Sequence, residues 1–177
     1  MILLTSNMVG VELGAGLYGS YRTYLPDPSV GIKLLHKKYY MTSGSVFQSA
    51  KAEFDTLKEV HNLMPDLFPK PIDMVAFEDT FGYMMEHIPM DTLKNAKRQH
   101  AVDSVHIIEH IKTIMEDRGI YHSDVHEANV LYNAHTGEFR VVDCDPAFIH
   151  IDKDGIYAPD EKYSTRSASS RSHCDDY

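Results

Sequence analysis

Residues 119–145, GIYHSDVHEANVLYNAHTGEFRVVDCD, restrict the folds open to this chain more than any other stretch. Asp124 follows His122 by two positions and Asn129 stands five further on. Two short apolar runs, Val130–Tyr132 and residues 139–142, then flank a turn centred on Gly137. Apolar runs about a glycine turn predict a hairpin, and a hairpin here brings Asn129 and Asp143 side by side. Three proton-accepting or metal-competent side chains are thus set at fixed spacing, and the rest of the chain must be consistent with that cluster.

A chain of 177 residues with 43% hydrophobic content suits one ordinary core, and no shift in composition marks a second independent domain. The formal charge of -9 argues against a nucleic-acid binder, which needs a basic face for phosphates; a basic protein is the electrostatically easier partner. Two cysteines, Cys144 and Cys174, make neither a disulfide framework nor a four-cysteine metal site and predict a reducing, cytoplasmic setting. The amino-terminal MILLTSNMVG lacks a basic leader and is too short in apolar residues for a secretory signal. No apolar run approaches membrane-spanning length, so no membrane partner is expected.

Residues 9–25, VGVELGAGLYGSYRTYL, place Gly14, Gly16 and Gly19 in G-x-G-x-x-G spacing between β-prone flanks. Glycines let a backbone approach phosphate oxygens without a Cβ in the way, and the amides there can donate to them. The spacing is also that of an ordinary sheet turn. A dinucleotide-binding fold needs a helix directly after the glycines, whereas residues 20–25 are rich in Tyr and Thr and run into Pro26-Asp27-Pro28, which predicts a second strand. Val30–Leu35, VGIKLL, is a short strand with Lys33 at its centre, either an edge lysine or a phosphate-reaching one.

Residues 46–63 show helical spacing, with Phe47, Ala50, Phe54, Leu57 and His61 on one face. At about 100° per residue, Glu53 lies about 40° from Leu57, at the border of the apolar stripe. An inward carboxylate needs a cation; Lys33 is the candidate, and Glu59 is the alternative acid. Pro65, Pro69 and Pro71 end this helix, and residues 72–77 and 81–88 predict two strands about Glu78-Asp79-Thr80, which makes five strands. A short helix or linker follows between residues 89 and 101, then a helix over residues 102–118 that stops at Gly119. The second helix holds His106-x-x-Glu109-His110, an inverted zinc-protease spacing. Its apolar stripe is Val105, Ile108, Ile111 and Met115, and both histidines point to nearly the opposite side, so a solvated face is expected there and no zinc.

In order and spacing, Gly14/Gly16/Gly19, Lys33, Glu53, Met85-Glu86, His122-x-Asp124, Asn129 and Asp143 resemble the protein kinase superfamily over about residues 9–146. That resemblance implies an α+β, protein-kinase-like bilobal fold. Residues 1–87 would form a five-stranded antiparallel small lobe, residues 88–162 a truncated, mainly helical large lobe, and residues 163–177 a disordered tail. It implies ATP and Mg²⁺ as cofactors. Gly14, Gly16, Gly19 and Lys33 would hold the phosphates, with Lys33 paired to Glu53. Met85 would be the gatekeeper, the backbone of Glu86 and Ile88 would hold the adenine, and Gly31 in place of the usual Ala would leave the adenine pocket roomier. Asp124 would take up the acceptor proton, while Asn129 and Asp143 would bind the metal.

The departures bear on substrate and control. Ser123 replaces an Arg through which a phosphorylated activation loop usually acts, which implies constitutive activity. His126 stands where many Ser/Thr kinases carry Lys and where aminoglycoside phosphotransferases carry His, so it joins the catalytic candidates. Cys144-Asp145 replaces Phe-Gly, leaving Asp145 as either a metal-proximal carboxylate or a loop residue. Tyr157-Ala158-Pro159-Asp160 faintly resembles the end of an activation segment. The short large lobe is similar to minimal kinases of bacterial effectors and phages, some of which act on a host chaperone or on ubiquitin-conjugating machinery. The expectation is therefore a monomeric, cytoplasmic protein kinase with a Ser/Thr preference, which as an effector would be injected into a host cell to act on a host chaperone or signalling protein. A small-molecule phosphotransferase of the aminoglycoside type, a pseudokinase and an AMP transferase are the alternatives.

Overall fold

Burial of Val30–Leu35 on both faces of the sheet fixes the architecture. A computed structural model describes residues 1–40 and 42–152; the 157–160 segment, the 163–177 tail and Cys174 lie outside the described residues. Eleven strands are described: β1 (Ile2–Leu4), β2 (Val9–Ala15), β3 (Gly19–Tyr24), β4 (Val30–Leu35), β5 (Pro71–Phe77), β6 (Thr80–Glu86), β7 (Asp91–Thr92), β8 (Ile120–His122), β9 (Val130–Tyr132), β10 (Phe139–Val141) and β11 (Ile149–Ile151). Three α-helices accompany them: α1 (Ser43–Leu63), α2 (Leu93–His100) and α3 (Ser104–Glu116). The protein is of mixed α+β class.

The main sheet has six strands in the order β1-β5-β6-β4-β3-β2. The five-stranded antiparallel expectation is corrected in two respects: β1 adds a sixth strand, and it pairs parallel to β5. The three-residue apolar run at the amino terminus has no turn partner in sequence, so its pairing with a strand about 70 positions away was invisible locally.

In β4, Val30, Ile32 and Leu34 face one side and pack with Leu4, Val75 and Met84. Leu35 lies with the cluster beneath α1, and strand alternation puts Gly31 and Lys33 on that same side. Because β4 lies between β6 and β3, Lys33 is an interior lysine, and the edge-strand reading is corrected.

α1 is capped by Thr42, whose side chain accepts from the Ser45 N–H while Ser45 answers as the reciprocal cap. It buries Val46, Ala50, Phe54, Leu57 and Val60 against the sheet, leaving Phe47 half-buried. Residues 88–152 carry α2, α3 and five short strands in two small sheets, β10-β9-β7 and β11-β8. The predicted hairpin is present as β9 and β10, with Val130 opposite Val141 and Gly137 at φ +77°. In α3, Ile111 and Met115 are buried, but Val105 is exposed and Ser104 is buried in its stead, next to Glu127, to which its hydroxyl donates. No helix among the described residues is long and apolar enough to cross a membrane.

Candidate active site

Lys33 is the centre of the polar cluster. Its Nζ lies 2.7 Å from Glu53 Oε2 and 2.7 Å from Asp143 Oδ1, so one ammonium joins β4, α1 and the segment after β10. Glu53, not Glu59, is thus the inward acid. Tyr83, opposite Lys33 on the neighbouring β6, donates its hydroxyl to Glu53 Oε2 at 3.1 Å. Sequence reading did not single out Tyr83, although strand alternation places it on the Lys33 face.

Burial would lower the Lys33 pKa, but Tyr83, Glu53 and Asp143 outweigh it and hold the ammonium well above its ordinary value. Glu53 is raised, because burial, with Asp143 and Asp145 added, outweighs the pull of Lys33. A single cation therefore serves more acid than it neutralises. Removing two charges from water costs several kcal/mol per ion, roughly recovered by the short pairs, so function is a better reason than stability for placing them here.

His122 is buried and connects the two halves of the cluster. Its Nδ1 accepts from the Asp124 N–H at 3.2 Å and its Nε2 donates to the Asp143 carbonyl at 3.1 Å, which needs the neutral imidazole. Burial lowers its pKa in keeping with that state. Asn129 donates from Nδ2 to Asp124 Oδ2 at 3.2 Å and to the Asp124 carbonyl at 3.1 Å, leaving its amide oxygen as the lone-pair donor. The Asn129 carbonyl accepts from the Val142 N–H at 2.9 Å, so the hairpin does set Asn129 beside the residue preceding Asp143. Asp143 itself is in the left-handed region at φ +71°, a strained position for a non-glycine residue and one typical of functional sites.

His126 Nε2 is 3.7 Å from Asp124 Oδ1, and its Nδ1 accepts from the Ala128 N–H. Asp145 Oδ1 accepts from the Ala147 N–H, as a loop residue does, while its side chain lines a cavity of about 250 Å³ with Tyr18, Tyr40 and Glu53. Burial pushes the Cys144 thiol up to about 12, so it is no nucleophile.

The glycines divide by role. A Cβ on Gly19 would sit 2.7 Å from the Leu34 carbonyl, so the sheet itself needs glycine there. A Cβ on Gly14 would meet nothing within 4 Å, one on Gly16 would approach nothing nearer than 4.0 Å, and neither residue has positive φ. The fold does not require glycine at 14 and 16, which fits close approach by something outside the chain.

Met85 is buried on β6 opposite Gly31. The Glu86 N–H donates to the Lys70 carbonyl and the Ile88 carbonyl accepts from the Met90 N–H, so a base held by this backbone would use the Glu86 carbonyl and the Ile88 N–H. The expectation of a roomier pocket at Gly31 is corrected: a Cβ there would lie 1.8 Å from the Tyr21 hydroxyl, because the Tyr21 ring takes that room.

Among the described residues no group of three or more His, Cys, Asp or Glu is disposed to hold a metal unaided, and His106 and His110 on α3 are exposed. The donor set at Asp143 and Asn129, a carboxylate oxygen not engaged by Lys33 and an amide oxygen, suits a hard cation that keeps waters or phosphate oxygens as its other ligands. A scan against protein-family models finds no match to the chain, and a search of curated proteins finds none either.

Proposed function

We propose that the chain is a minimal, ATP-dependent protein kinase with a protein-kinase-like bilobal arrangement, transferring the γ-phosphate to a Ser or Thr hydroxyl of a protein. The observation that carries this is the Lys33 ammonium, held at 2.7 Å from both Glu53 and Asp143 although Asp143 lies 110 positions later in the chain. That three-way junction serves a polyanion: Lys33 is held in place from α1 and can reach phosphate oxygens, and Gly14 and Gly16 leave backbone open to them.

Asp124, with its side chain 38% exposed and oriented by Asn129, would take the proton as the acceptor oxygen bonds to the γ-phosphorus and the bond to ADP breaks. Asn129 and Asp143 would hold Mg²⁺, which when bound neutralises charge on the phosphates. The charge of -9 favours a basic protein acceptor over an acidic one.

His126 beside Asp124 favours a second reading, a small-molecule phosphotransferase, which the same assay separates. Protein, Mg²⁺ and γ-labelled ATP are incubated with a cell lysate or with an aminoglycoside panel, alongside Asp124→Ala and Asp143→Ala. The expected result is label on a few proteins, lost in both variants. Equal labelling by wild type and variants would overturn the assignment, label on an aminoglycoside alone would select the second reading, and label from α-labelled ATP would mean AMP transfer.

A further inference from the structure

Tyr21 lies on β3 directly opposite Lys33 and packs on the α1 side of the sheet, the side that carries Tyr83 and Met85. Its ring leans along that face onto Gly31, where an added Cβ would be 1.8 Å from the hydroxyl oxygen and 2.2 Å from Cζ. Gly31 is in turn opposite Met85. The hydroxyl continues across to His87, 3.0 Å from Nδ1, and the two rings are stacked with centroids 5.9 Å apart and 26° between planes. One side chain thus runs from β3 over bare β4 backbone to the residue just past β6, along the backbone assigned above to the base. Burial and the neighbouring Glu86 push the Tyr21 pKa up to about 12, so the phenol keeps its proton and can donate to His87.

We propose that Tyr21 and His87 form a latch over the base end of the proposed nucleotide site, resting on Gly31, which a nucleotide must open in order to bind. This rests on the nucleotide-binding reading above. The closed latch makes only a fraction of molecules competent for the base, and apparent affinity falls by that fraction. The contacts that close it are made at Gly31 and His87, whereas the triphosphate end is at the Lys33 ammonium and the glycines. The pair therefore weakens nucleotides relative to simple polyphosphates, a selectivity set within the small sheet.

Calorimetric titration of wild type, Tyr21→Val and Tyr21→Phe with MgATP and with magnesium tripolyphosphate tests this, with thermal melts to check folding. Tyr21→Val should bind ATP about tenfold more tightly, Tyr21→Phe, which loses only the bond to His87, about threefold, and tripolyphosphate affinity should stay unchanged in both. Tyr21→Phe decides the matter if Tyr21→Val does not fold. Equal ATP affinity in folded wild type and variants overturns the latch and leaves the nucleotide reading standing. Weaker ATP binding in the variants overturns it too, making Tyr21 a stacking platform. No ATP binding by any folded protein removes the nucleotide reading and the latch with it.

Discussion

Lys33 and Glu53 show how a single residue can carry both the site and a stability cost. Glu53 is 5% exposed, and its carboxyl is raised because burial outweighs the help of Lys33. Lys33→Met leaves that carboxylate beside Asp143 and Asp145 without its cation, which costs about 3–5 kcal/mol at neutral pH. Glu53→Gln keeps acceptors for the Lys33 ammonium and the Tyr83 hydroxyl and costs about 1 kcal/mol. The pH dependence of the first variant follows from the direction of the shift. With the folded pKa above the ordinary 4.5, the folded state binds more protons than the unfolded one between the two values, so stability falls as pH rises through that window. Lys33→Met, lacking the lowering cation, should widen the window. Its deficit against wild type, from urea unfolding, is therefore largest at neutral pH and shrinks as pH falls toward the ordinary 4.5. A deficit independent of pH would mean that Glu53 is not the group left exposed by the substitution.

At the scale of elements, legibility followed the range of the interactions. The β9–β10 hairpin, α1 and the strands flanking the glycines were readable because turn residues and periodicity are local signals. β1 and β11, three residues each, were not, since each exists only by pairing with a distant strand, β5 and β8. Lys33 was legible as a candidate but not as an interior residue, because only the sheet order puts β4 between two neighbours. Gly31 was misread for a related reason: the ring that fills its space comes from another strand on a diagonal.

The glycine-bearing elements give a contrast that can be measured. Gly82 on β6 has no room for a side chain, as a Cβ would lie 1.9 Å from the Lys33 carbonyl oxygen. Gly82→Ala should push β4 aside at Lys33, cost about 1–3 kcal/mol and abolish transfer. Gly14→Ala should leave the melting temperature within about a degree, given the open space there, yet lower affinity for MgATP and for tripolyphosphate alike. If Gly14→Ala binds both as wild type does, the loop does not contact phosphate.

At the scale of the whole molecule, the core does not respect the boundary between the two proposed lobes. One apolar cluster takes in Leu35, Phe54 and Tyr83 from the sheet and α1, and also Leu93, Ile111, Met115, Val130 and Val141 from beyond residue 88. Leu67 and Phe68, in the segment between α1 and β5, belong to the same cluster, and the Leu67 carbonyl accepts from the Val141 N–H at 2.9 Å. His61 on α1 is hydrogen-bonded to the Phe68 carbonyl at 2.9 Å, so this segment is fixed from both sides. Separate lobes joined only by a polar interface would unfold separately, whereas a shared apolar cluster couples them. Urea unfolding should therefore be a single transition, with far-UV circular dichroism and tyrosine fluorescence superimposed; the chain has 11 Tyr and no Trp, which makes tyrosine the natural optical probe. Residues 1–87 expressed alone lack Leu93, Ile111, Met115, Val130 and Val141 of the shared cluster and should show no cooperative transition. Two resolved transitions, or a cooperatively folded 1–87 piece, would mean that the cluster is continuous in space without coupling the two halves in energy. The distance between Lys33 and Asp143 would then vary with the motion of one half against the other instead of being fixed by the core beneath them.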